Sequence, residues 1–181
     1  MAGPNPPTSS GTTPLPTSLP SAQRASPLFL REAEIRRGIE LLYFGYANLT
    51  RAADALLAEH GLGRAHHRAL YFIARQPGLT VGELLRLLAI TKQSLGRVLS
   101  ELTTRGFVAA AAGEIDRRQK LLRLTAAGSA LEAELFESFR ERLSAAYRHA
   151  GQDSVTGFWQ VLEGLIPIED RALAIELSRL D

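Results

Sequence analysis

The sequence predicts a mainly α fold carrying one small β-hairpin, and three features carry that prediction. From residue 28 onward apolar side chains recur at helical spacings over most of the chain. Two threonine-initiated helix starts follow each other closely, at Thr80 and Thr91. Between Phe107 and Leu124 an apolar run, a charged turn-like stretch and an alternating run stand in succession.

Composition bounds the problem. The chain has 181 residues, 45% of them hydrophobic and 22% charged, enough for one ordinary domain with an ample core. A net charge of +2 does not establish a polyanionic partner, so the distribution of charge must decide. With no cysteine, disulfides, thiolate metal sites and cysteine redox switches are excluded. The first residues lack the basic start and apolar stretch of a signal peptide. Nowhere do about 18 apolar residues run together as a spanning helix needs. The expectation is a cytoplasmic protein with no membrane partner.

Residues 1–27 are rich in Pro, Ser, Thr and Gly, with Leu15 and Leu19 their only large apolar side chains after Met1. Such a segment buries too little to offset its ordering entropy, which predicts a disordered tail. Residues 28–60 read as one long helix whose seam is Ile35, Ile39, Leu42, Tyr46, Leu49, Ala53 and Leu56. Gly61 supplies its end, and a second helix spans about Ala65 to Arg75. Thr80 followed by Glu83 is a capping box opening a short helix with Leu84, Leu85, Leu87 and Leu88. Thr91 caps the next helix. There Leu95, Leu99 and Leu102 form an apolar stripe, with Lys92, Gln93, Ser94, Arg97 and Ser100 largely off it, and Gly106 ends it.

Phe107 to Ala111 and Leu121 to Leu124 read as the strands of a hairpin with a long charged tip, Gly113 to Lys120. Thr125 caps a helix marked by Leu131, Leu135, Phe139 and Leu143, and a last helical region carries Val155, Phe158, Trp159, Leu162 and Leu165. Pro167 separates a terminal helical piece, Ile168 to Leu180. In order, the central elements make a helix-turn-helix with a hairpin wing. An α-helix fits the major groove of DNA, and a hairpin reaches the adjacent minor groove. Between Thr80 and Thr125 eight basic residues face four acidic ones, a surplus of four that leaves the rest of the chain at −2. Positive charge thus collects where phosphates would be met.

These residues resemble the MarR/SlyA family of winged-helix regulators. The likeness runs from Leu79-Thr80-Val81-Gly82-Glu83-Leu84 through Ile90-Thr91-Lys92-Gln93-Ser94-Leu95 to Leu102-Thr103-Thr104-Arg105-Gly106-Phe107-Val108. It continues in the wing signature Asp116-Arg117-Arg118-Gln119-Lys120, in Leu121-Leu122-Arg123-Leu124-Thr125, and in Ala126-Ala127-Gly128. The run Gly61-Leu62-Gly63-Arg64-Ala65-His66-His67-Arg68-Ala69-Leu70 resembles the PetP-like subgroup of that family. The resemblance implies a homodimer built from helices in 28–60 and 126–181, with the reading head in 61–125. It implies a regulator on a pseudo-palindromic double-stranded operator; repression is expected, because blocking polymerase needs no further contact, with activation the alternative. Gln93, Ser94 and Arg97 would meet base edges, and Thr91 and Lys92 phosphates. By the family pattern Arg118 would enter the minor groove, Asp116 would hold the wing tip, and Arg117 and Lys120 would lie near phosphates.

Family members often respond to phenolic or salicylate-like ligands. Tyr43, Tyr46, His66 and Trp159, with Phe72 and Tyr147, are the candidates for such an aromatic effector, or else are ordinary helical core. Gly96 inside the reading helix either allows close approach to DNA or is merely tolerated. His60, His66 and His67, with Glu59, are read as capping or surface groups rather than a metal or proton sensor. No cofactor and no metal site is expected. No Gly-rich phosphate loop, nucleophile elbow or His-Glu-x-x-His pair is present, so an enzyme is not expected. A protein-interaction scaffold and a general architectural DNA binder remain the alternatives.

Overall fold

Capping and backbone hydrogen bonding produce seven α-helices and three short strands among the described residues, which in the computed structural model are 26–113 and 119–178. Residues 1–25, most of the expected tail, lie outside them, as do Asp116, Arg117 and Arg118 of the wing signature. By its contacts the chain divides between Leu41 and Leu42, inside the first helix.

In the first unit Pro27–Leu30 form a 3₁₀ turn, and α1 (Glu32–Glu59) begins after Arg31. The helix expected from Leu28 therefore starts later. The extended Arg31 separates the two pieces, and the Ser26 hydroxyl accepts from the Leu28 amide to open the turn. Glu32 and Arg36 pair one turn apart at 2.7 Å. Leu28, Phe29, Leu30, Ile35 and Ile39 are all exposed.

In the second unit the buried row of α1 is Thr50, Ala53 and Leu57. Of the expected seam Ala53 falls in this row, whereas Leu42 and Tyr46 are exposed and Leu49 and Leu56 only partly covered within the single chain. A fours-and-threes pattern repeats every 3.5 residues, whereas a straight helix turns every 3.6, so the row that meets a core is set by what packs there. Gly61, at φ +56°, ends the helix in the left-handed region that glycine tolerates.

Then follow α2 (Arg64–Arg75), β1 (Leu79–Thr80), α3 (Val81–Leu88), α4 (Lys92–Thr104), β2 (Val108–Ala112) and β3 (Lys120–Leu124). The expected hairpin is there, but it belongs to a three-stranded antiparallel sheet of order β1-β3-β2. The added strand buries Leu79 opposite Leu122. The two-residue β1 is too short for an alternation signal, so sequence pattern alone missed it. The last helices are α5 (Ala126–Ala150), α6 (Gln152–Leu165) and α7 (Ile168–Ser178).

The core lies where α2, α3, α4, the sheet and the first turns of α5 converge. Leu70, Ile73, Leu84, Leu88, Leu95, Leu102, Leu122 and Leu135 are essentially fully buried there. Beyond Leu135 no residue of α5 is buried, and none is in α6. Phe158, Trp159 and Leu165 of α6 are exposed. No helix among the described residues is long and apolar enough to cross a membrane.

Candidate nucleic-acid interface

The reading head is assembled by local capping. The Thr80 hydroxyl accepts from the Glu83 amide at 3.2 Å, and the Glu83 carboxylate accepts from the Thr80 amide at 2.8 Å and the Thr80 hydroxyl at 2.7 Å. These bonds hold the Glu83 carboxyl below its ordinary value. α3 stops at Ala89, which takes the left-handed conformation at φ +50° although it is not glycine. The Arg68 guanidinium donates to the Leu88 carbonyl at 2.6 Å and so satisfies one of the orphan carbonyls of that helix end.

After this tight turn Thr91 caps α4, its hydroxyl accepting from the Ser94 amide at 3.1 Å and donating to the Ser94 hydroxyl at 2.8 Å. Thr91, expected at phosphate, thus has a capping task as well. The buried stripe of α4 is Leu95, Val98 and Leu102. Leu99, expected in that stripe, is only partly covered, and Val98 takes its place. The opposite face carries Gln93, Gly96, Arg97 and Ser100, all exposed, with Lys92 and Ser94 exposed on its flanks. Thr104, exposed and one helical step beyond Ser100, extends the same face. Thr104 stands in the stretch that carries the family resemblance, but its place on the polar face was not read from the sequence.

Two side chains, Glu101 on the other flank of α4 and Arg105 just past its end, fasten it to the α1–α2 turn. Arg105 donates through a guanidinium nitrogen to the His60 carbonyl, closing the end of α1. His66 accepts from the Gly63 amide through Nδ1 at 3.0 Å, which leaves the hydrogen on Nε2 to donate to Glu101 at 2.9 Å. His66 therefore joins the first turn of α2 to α4. Neither Glu101 nor Arg105 was singled out by sequence, since their partners lie far away in the chain. His60 and His67 are also packed: His60 lies edge-on to Phe107, and His67 lies 5.0 Å from the Phe139 ring. Among the described residues no group of three or more His, Cys, Asp or Glu is placed to hold a metal ion.

In the wing, Ala109 to Ala112 of β2 are exposed and present a smooth, small-residue surface. Lys120 at the start of β3 is exposed too. The Gly113 amide donates to the Gln119 carbonyl at 2.9 Å, closing the base of the tip. The sheet joins α5 at Thr125, whose hydroxyl donates to the Gly106 carbonyl at 2.5 Å and whose amide donates to the Phe107 carbonyl at 3.0 Å.

The four ligand candidates have separate neighbours. Tyr46 lies under the Arg64 guanidinium, 5.6 Å from carbon to ring centre, and Arg64 is paired with Asp54. Trp159 donates to the Tyr147 hydroxyl at 3.0 Å, His66 is engaged as above, and Tyr43 is 73% exposed. A cleft of about 270 Å³ lies elsewhere, among Ile73, Ala74, Pro77, Arg123, Leu124, Ser129 and Glu132, and none of the four lines it. Burial there pushes the Glu132 carboxyl up against the opposing pull of Arg75.

Residues 60–119 match the family model described as MarR family. Over 139 residues the chain is 49% identical to the HTH-type transcriptional regulator PetP of Rhodobacter capsulatus, covering 77% of this chain and 84% of that protein. A mutant MarR from E. coli, solved in complex with operator DNA, superposes with a TM-score of 0.59 at 22% identity, covering 78% of this chain and all of that one. A Mycobacterium tuberculosis MarR family protein in complex with p-aminosalicylic acid gives a TM-score of 0.51 at 28% identity, covering 70% and 95%. The winged helix-turn-helix geometry and the extent of the likeness to PetP place this chain in the MarR family of transcriptional regulators.

Proposed function

We propose that the chain is a homodimeric, sequence-specific binder of double-stranded DNA that represses by occupying promoter sites, and that it is not an enzyme. The carrying observation is α4: a helix anchored on one side by Leu95, Val98 and Leu102 that offers Gln93, Arg97 and Ser100 on the other. Gln93, Ser94 and Arg97 meet base edges, while Lys92 and the Thr91 end of the helix meet phosphate. In the wing, Arg118 enters the minor groove, Arg117 and Lys120 lie near phosphates, and Asp116 holds the tip. The dimer forms through the helices of 28–60 and 126–181. Its support is the number of large apolar side chains left exposed, among them Tyr43, Phe44, Phe158, Trp159 and Leu165. A twofold protein then requires half-sites about 10 base pairs apart. The protein acts in the cytoplasm.

Selection from a random duplex library, with binding repeated across salt, tests this. A palindrome with A·T-rich flanks is expected. Enrichment of no sequence would overturn specific regulation and favour the scaffold or architectural alternatives.

A small aromatic acid is proposed as the releasing effector, met by Tyr43, Tyr46, His66 and Trp159. The support is the p-aminosalicylic acid complex of the M. tuberculosis relative. Addition of p-aminosalicylic acid is expected to weaken operator binding and raise the melting temperature. If both stay fixed, the effector assignment fails.

A further inference from the structure

Gly96 lies in the middle of α4, where glycine is about 1 kcal/mol worse than alanine for the helix. The fold gives no reason for it. A Cβ built at Gly96 meets nothing within 4 Å, and Gly96 is not among the positive-φ glycines. Both conditions that make a helical glycine necessary to its own protein, crowding and a left-handed backbone, are therefore missing. Gly96 is exposed, three residues after Gln93, next to Arg97 and four before Ser100, on the face opposite the buried stripe. The room left by the missing side chain is therefore open to something that arrives from outside.

A helix with its side chains is about 10–12 Å across, and the major groove is about 12 Å wide, so the depth of a reading helix is limited by its groove-facing side chains. We infer that Gly96 is a specificity-determining position: its bare backbone lets α4 sit deep enough for Gln93 and the short Ser94 side chain, both proposed above to meet base edges, to reach them. The inference rests on the DNA-binding proposal above and adds which residue sets the depth of reading. An alanine methyl would hold the helix axis back by about 1.5 Å, one carbon–carbon bond. That is enough to stretch a 2.9 Å hydrogen bond out of range. Phosphate contacts, made by long and mobile Lys and Arg side chains, would adjust.

The test uses the full chain, as wild type and as Gly96→Ala. Affinity is measured on the selected operator duplex and on an unrelated duplex of equal length at one salt concentration, together with the melting temperature of each free protein. Gly96→Ala is expected to melt no lower than wild type, to lose about ten-fold or more on the operator, and to stay within about three-fold on the unrelated duplex. Unchanged operator affinity overturns the inference. An equal loss on both duplexes overturns it too, because the methyl would then be obstructing the backbone and not the base edges. A lowered melting temperature shows that the fold itself needs the glycine and likewise overturns it. If wild type fails to distinguish the two duplexes, the DNA-reading proposal itself falls, and this result is separable from the others because it needs no variant.

Discussion

Gly128→Ala should be among the most damaging single-methyl additions in this protein. Gly128 is buried in the first turn of α5, and an ideal Cβ there would stand 2.0 Å from the Phe107 carbonyl oxygen and 2.9 Å from its carbon. That oxygen cannot easily move, because it accepts from the Thr125 amide at 3.0 Å, while the Thr125 hydroxyl donates to the adjacent Gly106 carbonyl and holds the same turn. Relief therefore requires α5 to back away from the strand, which strains or breaks the Thr125 bonds. Overpacking costs about 1–3 kcal/mol, and loss of the Thr125 cap and its carbonyl partners costs about 1–2 kcal/mol more. The gain in helix propensity returns at most about 1 kcal/mol, giving a net loss of roughly 3 kcal/mol. For a chain of this length that corresponds to a fall of about 6–12 °C in melting temperature.

The assay is thermal and urea unfolding at fixed protein concentration, with Gly157→Ala in α6 as control. A Cβ at Gly157 meets nothing within 4 Å, so this variant should be neutral or stabilising. If Gly128→Ala melts within about 2 °C of wild type, a shift smaller than 1 kcal/mol produces, the claimed approach of α5 to Phe107 is wrong.

Other outcomes follow from the same geometry. Burial holds the His67 imidazole below its ordinary value of 6.5, against the pull of Asp54, so folding favours the neutral ring. Its stability contribution is complete above about pH 6.5 and is lost as pH falls below that, so His67→Gln should flatten the pH dependence of the urea midpoint on the acid side. The Glu83 carboxyl, also held low, contributes stability above its ordinary 4.5 that disappears on further acidification. Thr80→Ala should cost about 1 kcal/mol near neutral pH and less in acid, and a constant cost across that range would contradict the capping box. Arg68→Ala strips the Leu88 carbonyl of its guanidinium partner and should cost about 1–2 kcal/mol in chemical denaturation, while equal stability would show that water serves as well. Arg97→Ala should cost about 1–3 kcal/mol of operator affinity, concentrated at one base position in a panel of single-base operator variants; a uniform loss would make Arg97 a phosphate contact.

What the sequence determined by itself was local. The capping threonines 80, 91 and 125, the left-handed glycines 61 and 106, and the polar face of α4 all depend on groups within one or two helical turns, so residue type and spacing encode them directly. The ordered set from Thr80 to Gly128 is specific enough to carry the family resemblance.

Only the tertiary structure decided the rest. β1 exists because Leu79 finds Leu122, and α1 buries Thr50, Ala53 and Leu57 because those positions meet the core. His66 and Arg105 lock α4 to a turn some forty residues earlier, and Gly128 is required by a carbonyl twenty-one residues before it. The aromatic candidates were grouped by type alone, and packing decided what each touches: Tyr46 the Arg64 guanidinium, and Trp159 the hydroxyl of Tyr147, another of the candidates. Hydrogen bonds to nearby residues are fixed by the chain's own connectivity. Contacts across long separations depend on which apolar surfaces pack together, and no local pattern carries that choice.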